Sequence, residues 1–523
     1  MLLLLGIVGA WYSAGYVLNR PAKQQNLVYD HRCEDRPVAI ITNRLRLFRT
    51  SEREPVSIEE IEIFVHYIDY FEDVFEFFQV TALGRNPERL KAYFNQSDHL
   101  IPIGEVTLAK WLPPDMNGLN REYLGVTMGV FDAVGDLNND GISEIVVGTA
   151  DTRCSEDRRD YLVFSGDRLI SDEKVRLEEV ATRLTSPKWK QADEAPVIHN
   201  IGIRMNKKMW LFNGHLANAS TRMQGLDSLS LEQSGTDLGI SDNALFIDGA
   251  IVDWSDGGLR IAVEPETLKE MVRVELPPDV DSPNGIAMIP ESTLPDSSEV
   301  VLVSRSHLSV FDFRRGETLL AIDIDEHTTV DMLVGSYGDF DQDEVQDFWI
   351  SFPNAQNDQG DIVGVSYLIS GERLRGAVRE GGRTSLTDLV YAALRGDPGI
   401  PTRQKSGVGY DISLKAGDID GDKLPDFVTV AHHTYDNAGS LYVLPGKHVS
   451  EGAEYTALSN EVIQVLGAPL SYLGTGLHVG DDWDRDGFDD IVVGADVDHE
   501  SGFNAGAIYL LSGKEITERQ TEQ

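Results

Sequence analysis

The chain is expected to fold as an all-β, seven-bladed β-propeller, with six blades as the runner-up count, preceded by an α-helical segment. Three observations lead there. An acidic loop recurs four times in one phase before a short apolar strand, each loop is followed at a near-constant distance by a second strand closing on glycine, and the hydrophobic period changes near residue 100. Fixed offsets between two independent signals define an internal repeat, and a repeat of this size defines an architecture.

The loops are Asp136-x-Asn138-x-Asp140-x-x-x-Glu144, Asp339-x-Asp341-x-Asp343-x-x-x-Asp347, Asp418-x-Asp420-x-Asp422-x-x-x-Asp426 and Asp482-x-Asp484-x-Asp486-x-x-x-Asp490. Each runs directly into apolar residues, as in Ile145-Val146-Val147 and Ile491-Val492-Val493. The closing strands are YLVFSG ending at Gly166, YLISG at Gly371, YVLPG at Gly446 and IYLLSG at Gly513. Weaker units fill the gap between them: MWLFNG ending at Gly214, Leu259 to Val263 after a shortened loop from Asp253 to Gly257, and Val300 to Val303 leading to Leu308 to Phe313 and Gly316. Seven units result, each large enough for a four-stranded antiparallel sheet arranged radially around a channel. The last unit lacks an outer strand, and Ile103 to Lys110 alternates as a strand that could supply it.

Ahead of the repeats, residues 37 to 95 read as helical. Ser57 with Glu60 forms a capping-box pattern, and Ile61, Phe64, Ile68, Phe71, Phe75 and Phe78 recur at helical steps. That stripe is expected to pack on a neighbouring domain or on a second copy of the chain, so the helices offer a route to an oligomer. Met1 to Leu18 carries no charge and reads as a signal-peptide core or a short membrane anchor, giving segments 1–20, 21–100 and 101–517. The basic flank that follows, from Arg20 to Arg49, has the wrong sign for an exported chain by the positive-inside tendency, which leaves the membrane orientation open.

Composition narrows the partners. The 523 residues hold 86 Asp plus Glu against 45 Lys plus Arg, a net charge of −41, and no basic run is available to meet a phosphate backbone. Nucleic acid is therefore excluded as a partner class. Cys33 and Cys154 make one disulfide or two thiols; their spacing does not suit zinc.

Carboxylates at positions one, three, five and nine of a tight loop repel one another unless a cation sits between them. Calcium takes six to eight oxygens in flexible geometry, and the carbonyl of position seven (Ile142, Val345, Leu424 or Phe488) can join the side chains. Up to four Ca²⁺ ions are expected. The 482 loop ranks strongest and the loops at 339 and 418 next, because Glu344 and Lys423 stand where glycine would relieve a positive φ, at about 1 kcal/mol each. The 136 loop is weakened by Asn138.

The unit from Leu473 to Gly513 resembles the FG-GAP repeat of the integrin alpha-subunit propeller and its bacterial relatives. Leu473-Gly474 stands where that family has Phe-Gly, Gly494-Ala495-Asp496 where it has Gly-Ala-Pro, and the acidic loop lies between. The resemblance spans roughly residues 120 to 515 and is specific in units one, five, six and seven. It implies a seven-bladed propeller, calcium in the hairpin loops, and an extracytoplasmic role in binding proteins or glycans, on the cell surface, in a periplasm or secreted. No nucleophile elbow, zinc-protease motif or phosphate loop is present. The alternatives are a calcium-containing propeller enzyme acting on polysaccharide and a structural subunit of an envelope complex. Arg395-Gly396-Asp397 is read as a chance tripeptide, His432-His433 as a weak site candidate, and Asn95 and Asn218 as glycosylation acceptors in a host that glycosylates.

Overall fold

The computed structural model describes side chains over most of residues 100–112, 317–324, 333–397, 407–467, 471–498 and 506–520 and at a few positions between. Elsewhere it describes the backbone of short strands. The helical stripe from Ser57 to Phe78, the apolar segment 1–18, both cysteines, Asn95 and Asn218 lie outside the described residues. Residues 37 to 39 depart from the helical expectation, since Pro37–Ala39 pairs with Leu27–Tyr29 as an antiparallel strand. Proline at the start of a helix is tolerated, but here it opens a strand instead.

The rest of the described chain is mostly antiparallel sheets in an arrangement like that of a propeller, with few helices, the longest being Gly371–Glu380 and Gly513–Glu522. Seven sheets of three to five strands follow one another along the sequence. The first contains Phe131–Ala133, Ile145–Asp151, Arg158–Phe164 and Thr182–Leu184; the second, Val197–His199, Gly202–Met205 and Lys208–Leu211; the third, Leu245–Ile247, Ala250–Ser255, Gly258–Val263 and Glu270–Val274. The fourth holds Ile286–Met288, Glu299–Val303, His307–Asp312 and Glu317–Asp323, and the fifth Leu333–Gly338, Asp347–Phe352, Val365–Ile369 and Val390–Arg395. Asp411–Ile412, Phe427–Ala431, Ser440–Leu444 and Ile463–Leu466 form the sixth. In the third sheet, Asp253 sits inside a strand opposite Arg260, so the expected shortened acidic loop is a plain hairpin.

The seventh sheet takes Leu473–Asp481, Asp490–Ala495 and Ala507–Leu511 from the end of the chain and completes itself with Thr107–Leu112 from near the beginning. Ile508 lies opposite Trp111 and Leu511 opposite Thr107. The expected closure strand is thus present but shifted, because Ile103–Glu105 forms a 3₁₀ turn. Lys110 fixes the register: its ammonium bonds the buried Asp498 carboxylate at 2.9 Å, lies over the Tyr509 ring at 4.7 Å, and the Tyr509 hydroxyl donates to the same carboxylate at 2.6 Å.

Sheets four to seven each gain a fifth strand, paired in parallel on the outer edge and lent by the neighbouring unit. Gly382–Ser385 covers the fourth sheet, Ala453–Thr456 the fifth, Leu100–Pro102 the sixth and Lys174–Arg176 the seventh. Each loan comes from the segment before the lender's own fourth strand, and the last one carries the chain from the first unit back to the seventh. Edges that would otherwise template aggregation are paired off.

Alternate side chains of one strand pack against different neighbours, following the period of two. Phe348, Ile350 and Phe352 join Leu308, Val310, Leu320 and Ile322 of the fourth sheet, while Trp349 joins Phe427 and Tyr442 of the sixth. Trp349 and Phe427 stack at 3.8 Å with planes 7° apart. Val428 and Val430 face the seventh sheet beside Ile491 and Val493. Both faces of these strands are buried, which is why they read as continuous apolar runs. At Gly474, φ 108°, the seventh sheet comes close to the sixth: a Cβ there would meet the Val430 side chain at 2.7 Å.

Because Lys110 and Asp498 are both buried, removing the ammonium takes the opposite charge away from a buried carboxylate that the Tyr509 hydroxyl still bonds. Lys110→Met is expected to lower unfolding stability by about 3–5 kcal/mol, and adding Asp498→Leu is expected to restore much of it. Urea unfolding of the two variants measures both effects.

Candidate metal centres

Three of the four acidic loops are described, and each joins the first to the second strand of its sheet. Carboxylate oxygens converge within 4.8 Å in three triads: Asp339, Asp341 and Asp347; Asp418, Asp420 and Asp426; Asp482, Asp484 and Asp490. These are positions one, three and nine. In the loop beginning at Asp136, only Ile142 is described, and it is buried; Asp136, Asn138, Asp140 and Glu144 lie outside the described residues.

Position five has a further job that its spacing does not reveal. The carboxylates of Asp343, Asp422 and Asp486 accept the N–H of Val345, Leu424 and Phe488 at 2.8, 2.8 and 3.1 Å, a local turn two residues on. That turn orients position seven, whose carbonyl the sequence assigned to the ion. Position one closes the loop from the other side: Asp482 accepts the N–H of Asp486 at 3.0 Å and of Gly487 at 2.9 Å. Asp339 does the same with Asp343 and Glu344.

The ninth aspartate is the keystone. One oxygen of Asp426 accepts the N–H of Ile419 at 2.7 Å and of Asp420 at 3.2 Å, and the other accepts the N–H of Gly446 at 2.7 Å. Asp347 repeats the pattern with Phe340, Asp341 and Gly371, and Asp490 with Trp483, Asp484 and Gly513. The fixed distance between acidic loop and closing glycine therefore has a physical cause: the glycine amide is a ligand of the loop's last acid. A Cβ at Gly446 would meet the Pro425 carbonyl at 2.4 Å, and at Gly513 the Asp489 carbonyl at 2.1 Å, so only glycine can bring its N–H that close.

The backbone is strained where the acids turn inward. Glu344 and Lys423 have φ of 68° and 71°, as position six required. Position four is also left-handed, at Gln342, Gly421 and Arg485, with φ of 60°, 73° and 63°, which the sequence pattern did not reveal. Two further contacts were invisible in the sequence. The Lys447 ammonium, one residue past a closing glycine, bonds Asp420; Lys514, in the same place, lies 3.8 Å from Asp486. Asp489 links the last two loops across their sheets, its carboxylate accepting the N–H of Asp418 at 2.8 Å while its own N–H donates to the Asp418 carbonyl at 2.9 Å.

The donor set fits a hard divalent cation. It is all oxygen, it is charged, and two oxygens, Asp341 Oδ1 and Asp418 Oδ1, are buried with no hydrogen-bond partner, which a cation would supply. Without metal the charge is relieved by protons. Burial raises Asp347 to about 7 and Asp426 and Asp490 to about 8, with Asp484 adding to the rise at Asp490. Burial also raises Asp341 and Asp484, with Asp343 and Asp486 as the next causes.

His432 and His433 lie away from these loops, beside Tyr410 and Tyr472. Arg395-Gly396-Asp397 is not displayed as a ligand: Arg395 ends a strand with its guanidinium on the Tyr367 ring, and a Cβ at Gly396 would strike the Val363 carbonyl.

No protein-family model matches the chain. A stretch of 118 residues, 22% of this chain, is 30% identical to human integrin alpha-7, and it covers 9% of that protein's length. Together with the sheets, this likeness is consistent with an integrin-like β-rich fold, and it carries no whole-protein activity.

A carboxyl group whose pKa rises on folding holds its proton more tightly in the folded state, so its contribution is full below the ordinary value of 3.8 and is lost as pH climbs through about 7 to 8. With chelator present, the melting temperature is expected to fall from mildly acidic to mildly alkaline pH; with calcium present that fall is expected to shrink or reverse. Thermal melts across this range with and without chelator make the comparison.

Proposed function

We propose that the chain is a calcium-stabilised, seven-bladed propeller of the FG-GAP type, serving as an extracytoplasmic binding or adhesion module for a protein or glycan ligand. The observation that carries this reading is the threefold recurrence of one device, an aspartate triad locked to a closing glycine. Seven blades are favoured over six because the sheet from Leu245 to Val274 fills the double-length interval between Gly214 and Gly316, and because Thr107–Leu112 completes the last sheet. Closed loops of hard oxygen ligands suit an ion that organises hairpins and activates no water. Extracytoplasmic placement is supported by the likeness to integrin alpha-7 and by the apolar segment at 1–18, whose role as cleaved signal or anchor is part of the same proposal. Among the described residues, no helix is long and apolar enough to cross a membrane.

Metal that binds only the folded state stabilises it by about 2.7 kcal/mol per site at a hundredfold excess over Kd. Chelation is therefore expected to lower the melting temperature by roughly 10 °C or more. Asp484→Ala with Asp486→Ala is expected to remove one bound calcium in native mass spectrometry. An unchanged melt together with an unchanged ion count would defeat the metal reading.

A further inference from the structure

The three described acidic loops part company at the residue after the closing glycine, which is Glu372 for the 339 loop, Lys447 for the 418 loop and Lys514 for the 482 loop. The closing glycine is bonded through its amide to the ninth aspartate, so the next residue always starts from the same point beside the acids. What it does from there depends on the local chain.

In the 339 loop the following residue turns away. Glu372 lies in the first turn of the helix Gly371–Glu380, where a carboxylate suits the helix dipole, and it meets Arg375 at 3.4 Å. The third-position acid, Asp341, accepts a neutral donor on one oxygen, the Ser370 hydroxyl at 3.2 Å, while its Oδ1 is buried without a partner. In the 482 loop Lys514 lies in the first turn of the helix Gly513–Glu522, where the dipole disfavours a cation. Its ammonium stops 3.8 Å from Asp486, an acid of the fifth position that is outside the triad.

The 418 loop is built differently. Pro445 stands where Ser370 supplies a hydroxyl, and Gly446–His448 is a single 3₁₀ turn in place of a long helix. From that turn the Lys447 ammonium bonds Asp420, a member of the triad. The Asp420 side chain is 2% exposed and that of Lys447 is 44% exposed, so the lysine reaches in from solvent to a buried carboxylate. Asp418 Oδ1, of the same triad, stays buried without a partner. The ammonium therefore serves one acid of the cage and leaves another unserved.

We propose that Lys447 is a built-in competitor for the cation of the 418 loop, lowering that loop's calcium affinity and supporting the loop when the ion is absent. This rests on the calcium reading and adds to it a residue that grades one site against the others. An ion in this loop must draw on Asp420 while a positive charge already sits on that carboxylate, and like charges repel. Without the ion, the same ammonium offsets the repulsion among the acids. An ordinary exposed ion pair contributes little and acts with one sign whether or not calcium is present. Opposite signs in the two conditions are the mark of a competitor.

The test uses the full chain, stripped with chelator and titrated with calcium, with affinities read by calorimetry and ion counts by native mass spectrometry. Lys447→Met and Lys447→Gln are each expected to tighten one calcium step by about tenfold. Both are expected to lower the melting temperature in chelator by roughly 1–3 °C and to enlarge the rise that calcium produces. Lys447→Arg keeps the charge and is expected to stay within about threefold of wild type. Arg383→Gln removes an exposed cation paired with Asp323 on another sheet and is expected to change no step by more than about twofold. Asp418→Ala is expected to remove one ion, and Lys447→Met added to it is expected to tighten nothing. Neutral variants that bind no more tightly than wild type, a tightening that survives Asp418→Ala, or one that Lys447→Arg reproduces would each overturn the proposal and leave the calcium reading intact. An equal loss of melting temperature with and without calcium would mark an ordinary ion pair and overturn it as well. No calcium step in wild type or any variant would overturn both.

Discussion

The structure hangs on a buried carboxylate that is asked to hold three amides at once. In each described repeat the ninth aspartate ties the entrance of its acidic loop to the glycine that ends the third strand, at Asp347, Asp426 and Asp490. These side chains are 0–1% exposed, so an unneutralised charge would be costly, and neighbouring acids in the same loop make it costlier. Either a proton or a cation must resolve the conflict. The choice between them couples the stability of the three described acidic hairpins to cation and to pH, and it turns a cluster of repelling groups into the organiser of a sheet.

The sheets solve a second problem, the exposure of their outer edges. Parallel loans from the following unit cover four of them, and the last loan links the beginning of the repeat region to its end. Thr107–Leu112 adds antiparallel closure at the same junction, held by the buried Lys110 and Asp498 pair. Strands sandwiched on both faces then stack their large rings between sheets, as Trp349 does on Phe427. The aspartate triads lie at one end of these strands, and the rings of Tyr410, His432, His433 and Tyr472 gather at the other.

Much of this was legible in the sequence because it is periodic. Asp482 to Gly513 displays loop, strand and closing glycine in order, and three other copies share the phase, so the repeat and the closure strand could be read without coordinates. Other features leave no periodic trace. Edge loans such as Ala453–Thr456 are short and polar on one face, since a strand lent to an edge needs only backbone groups to pair. The left-handed Gln342 and Arg485 carry side chains with no conformational signature, so position four went unseen. Asp253 was misread because an acid pair before glycine suits a loop and a tight hairpin equally well, and register with Arg260 decides between them. Position five reads as a ligand by spacing, and its Oδ1 also accepts a main-chain N–H two residues on, a local bond that the spacing does not reveal.

The central claim is that a proton and a calcium ion compete for the ninth aspartates. Calorimetric titration of calcium into chelator-stripped protein at neutral pH, in Pipes and in Tris, tests it directly because the two buffers take up protons with different heats. With those carboxyls raised to about 7 or 8, roughly half a proton to one proton should leave per ion bound, and the apparent heats should differ between buffers accordingly. Identical heats in both buffers, or no calcium heat in either, would contradict the account.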